Sequence, residues 1–214
     1  MQIGELVLKH GLFLAPMEGY TDYAMRAVCR KEGAEVVVTE MISAKAVCFG
    51  DKKTASLARI TKEEQPCALQ IFGSDPAYMA EAAKRIYEGL GDSEKPAIID
   101  INMGCPMPKI ANSGDGCGLM RTPELAGEIV KAVTKAVDVP VTVKCRLGWD
   151  KGNINVLDFT KRMEDSGAAL LTIHGRTRSM LYSGVADWDM ITKVKAQLSI
   201  PVLANGDIVS GESA

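Results

Sequence analysis

The sequence predicts an α/β protein built as a TIM (β/α)₈ barrel, and three observations carry the prediction. Short apolar runs rich in β-branched residues alternate with amphipathic segments along the chain. Most of the helical segments close on glycine, or are followed by proline, before the next run begins. A polar or reactive residue stands at the carboxyl end of nearly every run: Glu18, Glu40, Gln70, Asn102 with Cys105, Lys144 with Arg146, His174, and Asn205 with Asp207. The alternation alone fits an open, doubly wound sheet equally well. The polar ring favours the barrel, because a barrel mouth draws groups from many strands whereas an open sheet gathers its ligand at one switch point.

The runs lie at 11–17, 35–41, 67–73, 97–104, 140–148, 169–175 and 201–207, about seven strands by their local signals. Helices are expected at 22–33, 76–89, 123–137, 156–167 and 187–198, with Asp22, Thr122 and Asp187 placed to cap or start three of them. Apolar stretches such as Ala97-Ile98-Ile99-Asp100-Ile101 fit a parallel sheet covered by helices and joined by right-handed crossovers. A complete barrel takes about 250 residues, and this chain has 214. The expectation is therefore one domain over residues 1–214, a barrel incomplete at its C-terminus with about seven of eight βα units. The first and seventh strands would then have unpaired edges, and the interior would open to water on one side.

At 47% hydrophobic and 24% charged the chain has the means to bury a sizeable core. A formal charge of -2 excludes a broad basic footprint, so any nucleic-acid contact must be local. The six cysteines, Cys29, Cys48, Cys67, Cys105, Cys117 and Cys145, form no CxxC pair and have no histidine at zinc-ligand spacing, so no metal site is expected. Their scatter through apolar segments suggests free thiols in a reducing cytoplasm. Met1 is not followed by a basic stretch and an apolar run, and no segment is long enough to span a membrane.

The most specific passage is Asp100-Ile101-Asn102-Met103-Gly104-Cys105-Pro106, continuing through Lys109 to Gly114-Asp115-Gly116-Cys117-Gly118-Leu119-Met120. A cysteine here leaves a strand end, with Gly104 permitting close backbone approach and Pro106 fixing the turn. The other five cysteines read as small buried hydrophobes. The same reading of Cys105 is outweighed by its place on the face where barrels carry catalysis.

This passage resembles the signature of the tRNA-dihydrouridine synthases, most like their bacterial B-type members. Leu14-Ala15-Pro16-Met17-Glu18-Gly19-Tyr20-Thr21-Asp22 resembles the family's opening motif, with Glu18 where a small residue is usual. His174-Gly175-Arg176-Thr177-Arg178, then Tyr182-Ser183-Gly184, Ala186-Asp187-Trp188 and Asn205-Gly206-Asp207, match further segments in the family's order.

The resemblance implies an oxidoreductase in which FMN lies across the barrel mouth, NADPH reduces it, and a uridine of tRNA becomes 5,6-dihydrouridine. It implies that Cys105 is the catalytic acid, protonating C5 of uracil as hydride arrives at C6; an ordinary thiol pKa of about 8.5 suits that role. It places Pro16, Met17, Gln70, Lys144, His174, Asn205, Gly206 and Asp207 at the flavin, and Asn102, Lys109, Arg146, Arg176 and Arg178 toward the substrate. Chemistry agrees for Lys144 as counter-charge to reduced flavin and for Gln70 at the ring's amide edge. Family members add a C-terminal helical domain that grips tRNA and a Gly-rich turn that clamps the FMN phosphate, neither of which is read here. FMN binding by these 214 residues alone is accordingly expected to be weak or absent. Alternatives are another FMN barrel, such as a dihydroorotate dehydrogenase, or an inactive fragment or RNA-binding remnant. The tRNA position, the choice between NADPH and NADH, and the oligomeric state stay open. Bland readings remain for several of these residues, among them solvated surface arginines and a buried aromatic at a helix start for Trp188.

Overall fold

The computed structural model describes residues 1–89 and 94–213. In chain order the elements are β1 (Gln2–Ile3), β2 (Leu6–Val7), β3 (Phe13–Leu14), α1 (Tyr23–Lys31), β4 (Val36–Val38), β5 (Ile42–Ser43), α2 (Ala44–Cys48) and α3 (Lys52–Leu57). They continue with β6 (Cys67–Phe72), α4 (Pro76–Glu88), β7 (Ile98–Met103), α5 (Pro108–Ala111), α6 (Pro123–Ala136) and β8 (Val141–Cys145). The last are α7 (Val156–Asp165), β9 (Leu170–His174), α8 (Trp188–Gln197) and β10 (Val202–Asn205). All seven expected strands and all five expected helices form, each lying inside its expected range.

The sheet runs β10-β9-β8-β7-β6-β4-β3, with β5 added beside β6, and every pairing in it is parallel. Strand order follows chain order without reversal, so there is no switch point of the kind that defines a doubly wound sheet. The chain is an arc of a (β/α) barrel. Among the described residues β3 and β10 each pair on one side only, and between them lies a cleft of about 590 Å³ lined by Phe13, Trp188 and Leu203 among others.

Side chains alternate across the strands with period two, which divides the core. Val37, Leu69, Ile71, Ile99, Ile101, Met103, Val143, Leu171 and Ile173 are buried in one cluster with Met79, Ala82 and Ile86 of α4, Ile129, Val130 and Val133 of α6, and Phe159 of α7. The alternate positions face inward. Near the strand starts these are Val36, Val38, Ala68, Ile98 and Leu170, packed with Ile3 and Leu8. The β1–β2 hairpin, unanticipated from the sequence, thus plugs the amino end of the barrel arc. Further along the same inward columns come Gln70, Asp100, Asn102, Thr142, Lys144 and His174. The barrel interior is therefore apolar below and polar above.

Helix starts are fixed by side chains. Asp22 accepts from the Met25 amide at 3.0 Å, Asp75 from those of Ala77 and Tyr78, and Asp187 from that of Met190 at 2.8 Å. Thr122 stands at the start of α6, in its N-cap position, but makes no capping bond; its hydroxyl turns back to the Leu119 carbonyl. Pro123, whose missing N–H costs nothing at N1, starts that helix instead. Trp188 begins α8 with 37% of its surface exposed, which goes against the bland reading of it as a buried aromatic.

One buried ion pair holds the first loop of the site. Arg26 of α1 meets Glu64 at 2.6 Å, with both side chains almost wholly enclosed, and also donates to the Thr21 carbonyl at 2.8 Å. The Thr21 hydroxyl in turn accepts from the Met17 amide at 3.0 Å. Removing one partner of such a pair strands a charge in the interior. Glu64→Ala is expected to lower unfolding free energy by about 3–5 kcal/mol, measured by urea denaturation; an unchanged midpoint would show that the pair contributes no net stability.

Candidate active site

The carboxyl ends of the strands enclose a cavity of about 510 Å³, the size of a small-molecule or cofactor site. Pro16, Met17, Gln70, Asn102, Cys105, Lys144, Arg146, His174, Arg176, Asn205, Gly206 and Asp207 all line it. The strands and loops thus bring together twelve of the residues singled out from sequence. Lys109 and Arg178 are not among the lining residues. Lys109 is exposed on α5, and Arg178 donates to the Pro106 carbonyl at 3.1 Å.

A directional hydrogen-bond relay runs beneath the cavity. Asp100 is buried in register with Gln70 on one side and Thr142 on the other. Its carboxylate accepts from the Gln70 amide nitrogen at 2.7 Å and from the Thr142 hydroxyl. A carboxylate only accepts, so the nitrogen of Gln70 must face it and the oxygen must face away. That oxygen accepts from the Asn102 amide nitrogen at 2.8 Å. The Asn102 oxygen is left to accept the backbone N–H groups of Gly104 at 3.1 Å and Cys105 at 2.8 Å. One buried carboxylate thus sets two amide orientations and the first turn of the cysteine loop. Burial raises the Asp100 pKa, and the Thr142 and Gln70 donors oppose it.

The rest of the loop is gripped from outside. Arg146 donates to the Gly104 carbonyl at 3.0 Å and Arg178 to that of Pro106, so two guanidinium groups hold the residues flanking Cys105. The Cys117 amide donates to the Cys105 carbonyl at 3.1 Å. The tight approach expected at Gly104 is more severe at Gly116, where φ is +54° and a Cβ would sit 3.0 Å from the Cys105 Cβ. At Gly118 a Cβ would lie 2.5 Å from the Ala111 oxygen. Arg146 also donates to Thr177 and Leu181 carbonyls. Arg176 binds Asp207 at 2.7 and 2.9 Å and donates to the Ser183 and Gly184 carbonyls. These contacts tie together the loops that follow β7, β8, β9 and β10.

Burial governs the titration of the site. It pushes the Cys105 thiol up, with the Met107 amide opposing it and Glu18 adding to it. The thiol therefore stays protonated at neutral pH. Lys144, also desolvated and repelled by Arg146, is lowered to about 8, and its ammonium donates to Asn205 at 2.9 Å. His174 is lowered to about 3 by desolvation and then by Arg146, Lys144 and Arg176, so it is neutral at physiological pH. Arg176 donates toward its Nε2 at 3.3 Å, which places the ring proton on Nδ1. The site holds a protonated thiol, a neutral imidazole and a lysine poised to lose its charge. Among the described residues no cluster of three or more His, Cys, Asp or Glu could hold a metal ion, and no helix is long and apolar enough to cross a membrane.

Asp100, Thr142, Gly116 and Tyr182 were not singled out as site residues from sequence. Asp100 and Thr142 sit two places before Asn102 and Lys144, on the same inward face by strand periodicity, and that spacing was the available signal.

A polar, cation-bearing cavity at the carboxyl ends of parallel strands defines the class of (β/α) barrel proteins that bind ligands at the strand-end mouth. A family model described as dihydrouridine synthase (Dus) matches residues 13–214, and the chain belongs to that family. It is 45% identical to the "Probable tRNA-dihydrouridine synthase 1" of Synechocystis sp., with all of this chain aligned to 59% of that one. It is also 45% identical to "tRNA-dihydrouridine synthase B" of Pseudomonas aeruginosa, aligned to 63% of its length. The chain thus spans about three fifths of these relatives. Among solved structures, a putative lyase/mutase from Burkholderia cenocepacia superposes with a TM-score of 0.58 at 17% identity, over 95% of this chain and 72% of that one. A mandelate oxidase mutant with benzaldehyde gives 0.56 at 18%, over 95% and 59%. At such identities the likeness concerns the fold.

Asn102→Ala removes the acceptor for two loop amides and leaves Gln70 without its donor. Hydrogen exchange at Gly104 and Cys105 is expected to accelerate while exchange in β9 stays unchanged; equal protection in the variant would mean that the loop is held without the relay.

Proposed function

We propose that this chain supplies the catalytic part of a flavin-dependent enzyme that reduces uridine in tRNA to 5,6-dihydrouridine. The observation that carries the reading is the Cys105 thiol: protonated, half-buried, and held from both sides on a fixed loop at the cavity's edge. Reduction of the uracil 5,6 double bond requires a hydride at C6 and a proton at C5, and a thiol kept above its ordinary pKa is a proton donor before it is a nucleophile. The family membership and the names of the relatives support the same substrate.

The residues present fit FMN. Lys144 is a half-buried cation without a carboxylate within salt-bridge distance among the described residues, suited to an anionic ring edge. Gln70 keeps one N–H and one lone pair beyond those the relay uses, while Pro16, Met17 and Met41 supply apolar surface. FMN reduced by NADPH would supply the hydride. His174, with its proton on Nδ1, and Asn205 would orient ring or substrate, and Asn102 would hold the cysteine loop and meet the uracil. Arg146, Arg176 and Arg178 would act in substrate binding mainly by fixing the loops that receive the base, with Lys109 at the exposed edge. A base inside folded tRNA must leave its stack to enter such a cavity. Such an enzyme belongs in the cytoplasm, with its tRNA. In this reading residues 1–214 form the FMN-binding catalytic domain, and a helical domain of the kind the family carries would supply most of the grip on tRNA.

Two outcomes test the reading in a chain extended to its relatives' length. Cys105→Ala should leave NADPH-driven flavin reduction intact while dihydrouridine formation, counted by mass spectrometry of tRNA, falls by about a hundredfold or more. Undiminished formation would remove Cys105 from the acid role. Because Lys144 carries its charge only below its lowered pKa, the rate of flavin reduction should decline as pH rises through about 8. Lys144→Met should be slow and flat across that range; a variant that kept the wild-type profile would place the titration elsewhere.

A further inference from the structure

We propose that a ridge formed by Arg121, Trp149 and Arg178 is a docking surface for the sugar-phosphate backbone of the RNA whose base enters the cavity. The proposal rests on the RNA reading above and adds a location to it. The three residues come from three successive loops on the catalytic face: Arg121 from the turn before α6, Trp149 from the loop after β8, and Arg178 from the loop after β9. The guanidinium of Arg121 lies 4.9 Å from the centre of the Trp149 ring and that of Arg178 lies 4.6 Å from it. Backbone bonds hold the arrangement, with the Arg178 amide donating to Gly148 at 2.9 Å and the Ser179 amide to Trp149 at 3.0 Å.

Charge is what distinguishes this ridge from an ordinary solvated surface. Among the described residues neither Arg121 nor Arg178 has a carboxylate within 4.0 Å, whereas Arg26, Arg85, Arg162 and Arg176 each do. Acids close in sequence are committed elsewhere. Glu124 pairs with Arg162 at 3.0 Å, and Asp150 accepts from Gly152 and Asn153 within its own turn. Two like charges therefore share one indole in a chain whose net charge is -2. The π-face compensates part of their mutual repulsion, and an anion would compensate the rest.

The geometry suits phosphate. A guanidinium held over an indole ring by its cationic centre can keep N–H donors for paired hydrogen bonds to phosphate oxygens. The Arg178 side chain spends only its Nε, on the carbonyl of Pro106, and the exposed Arg121 side chain makes no hydrogen bond to any described residue. Through that one bond the ridge abuts the residue next to Cys105, so a phosphate held there belongs to a nucleotide near the one in the cavity.

The test uses this chain with Trp188→Phe, which leaves Trp149 the sole tryptophan, titrated with an unmodified tRNA transcript at several salt concentrations. Trp149 emission should change on binding. Arg121→Ala, at an exposed side chain outside the catalytic machinery, should weaken binding roughly tenfold at low salt and reduce the slope of log affinity against log salt by about 1. Arg121→Lys should restore the slope. Equal affinity and slope in wild type and Arg121→Ala would overturn the ridge while leaving the RNA reading intact. Absence of tRNA binding even at low salt by a chain extended to its relatives' length would overturn both.

Discussion

Placing a carboxyl group inside a parallel sheet is costly unless every oxygen is satisfied, and the way Asp100 meets that constraint organises the site around it. Its oxygens take the Gln70 and Thr142 donors, which fixes the amide of Gln70, which fixes that of Asn102, which fixes the backbone before the thiol. The sequence of bonds crosses two neighbouring strands and ends on a loop, so the rigidity of the sheet is passed to the one segment that must hold a reactive group in place. Arg146 and Arg178 complete the arrangement from outside by gripping the carbonyls on either side of Cys105.

The same enclosure sets the charges. Desolvation acts on Cys105, Lys144 and His174 alike, and in each case it favours the neutral form. Carbonyls, and for Arg176 the Asp207 carboxylate, take the donors of the two arginines beside the cavity. A cavity bearing cations beside a protonated thiol and a neutral imidazole suits an electron-rich ring with a proton donor next to it. That combination suits reduction of a polarised double bond better than attack by a thiolate, for which a lowered cysteine pKa would be needed.

Much of this was legible in the sequence. The strands and main helices follow from periodicity and punctuation, and the polar strand ends marked a mouth drawn from many strands, which the unreversed strand order bears out. The β1–β2 hairpin escaped notice because its strands are two residues each, too short for any alternation to register. The apolar run around Ile98 read as continuous, and the inward face of Asp100 emerged only once the period-two division was visible in the packing. The arginines show the clearest limit. Sequence placed Arg146, Arg176 and Arg178 on the catalytic side, but whether a guanidinium there meets a phosphate or a backbone carbonyl depends on loops brought together from distant positions, and no local pattern encodes that.

The protonation state of Cys105 separates an acid from a nucleophile. The most direct measurement is a thiolate absorbance titration near 240 nm of this chain, with the Cys105→Ala curve subtracted. The difference should show no thiolate at neutral pH and a transition above that of a free cysteine. A thiolate already present at neutral pH would contradict the acid role and the burial that supports it.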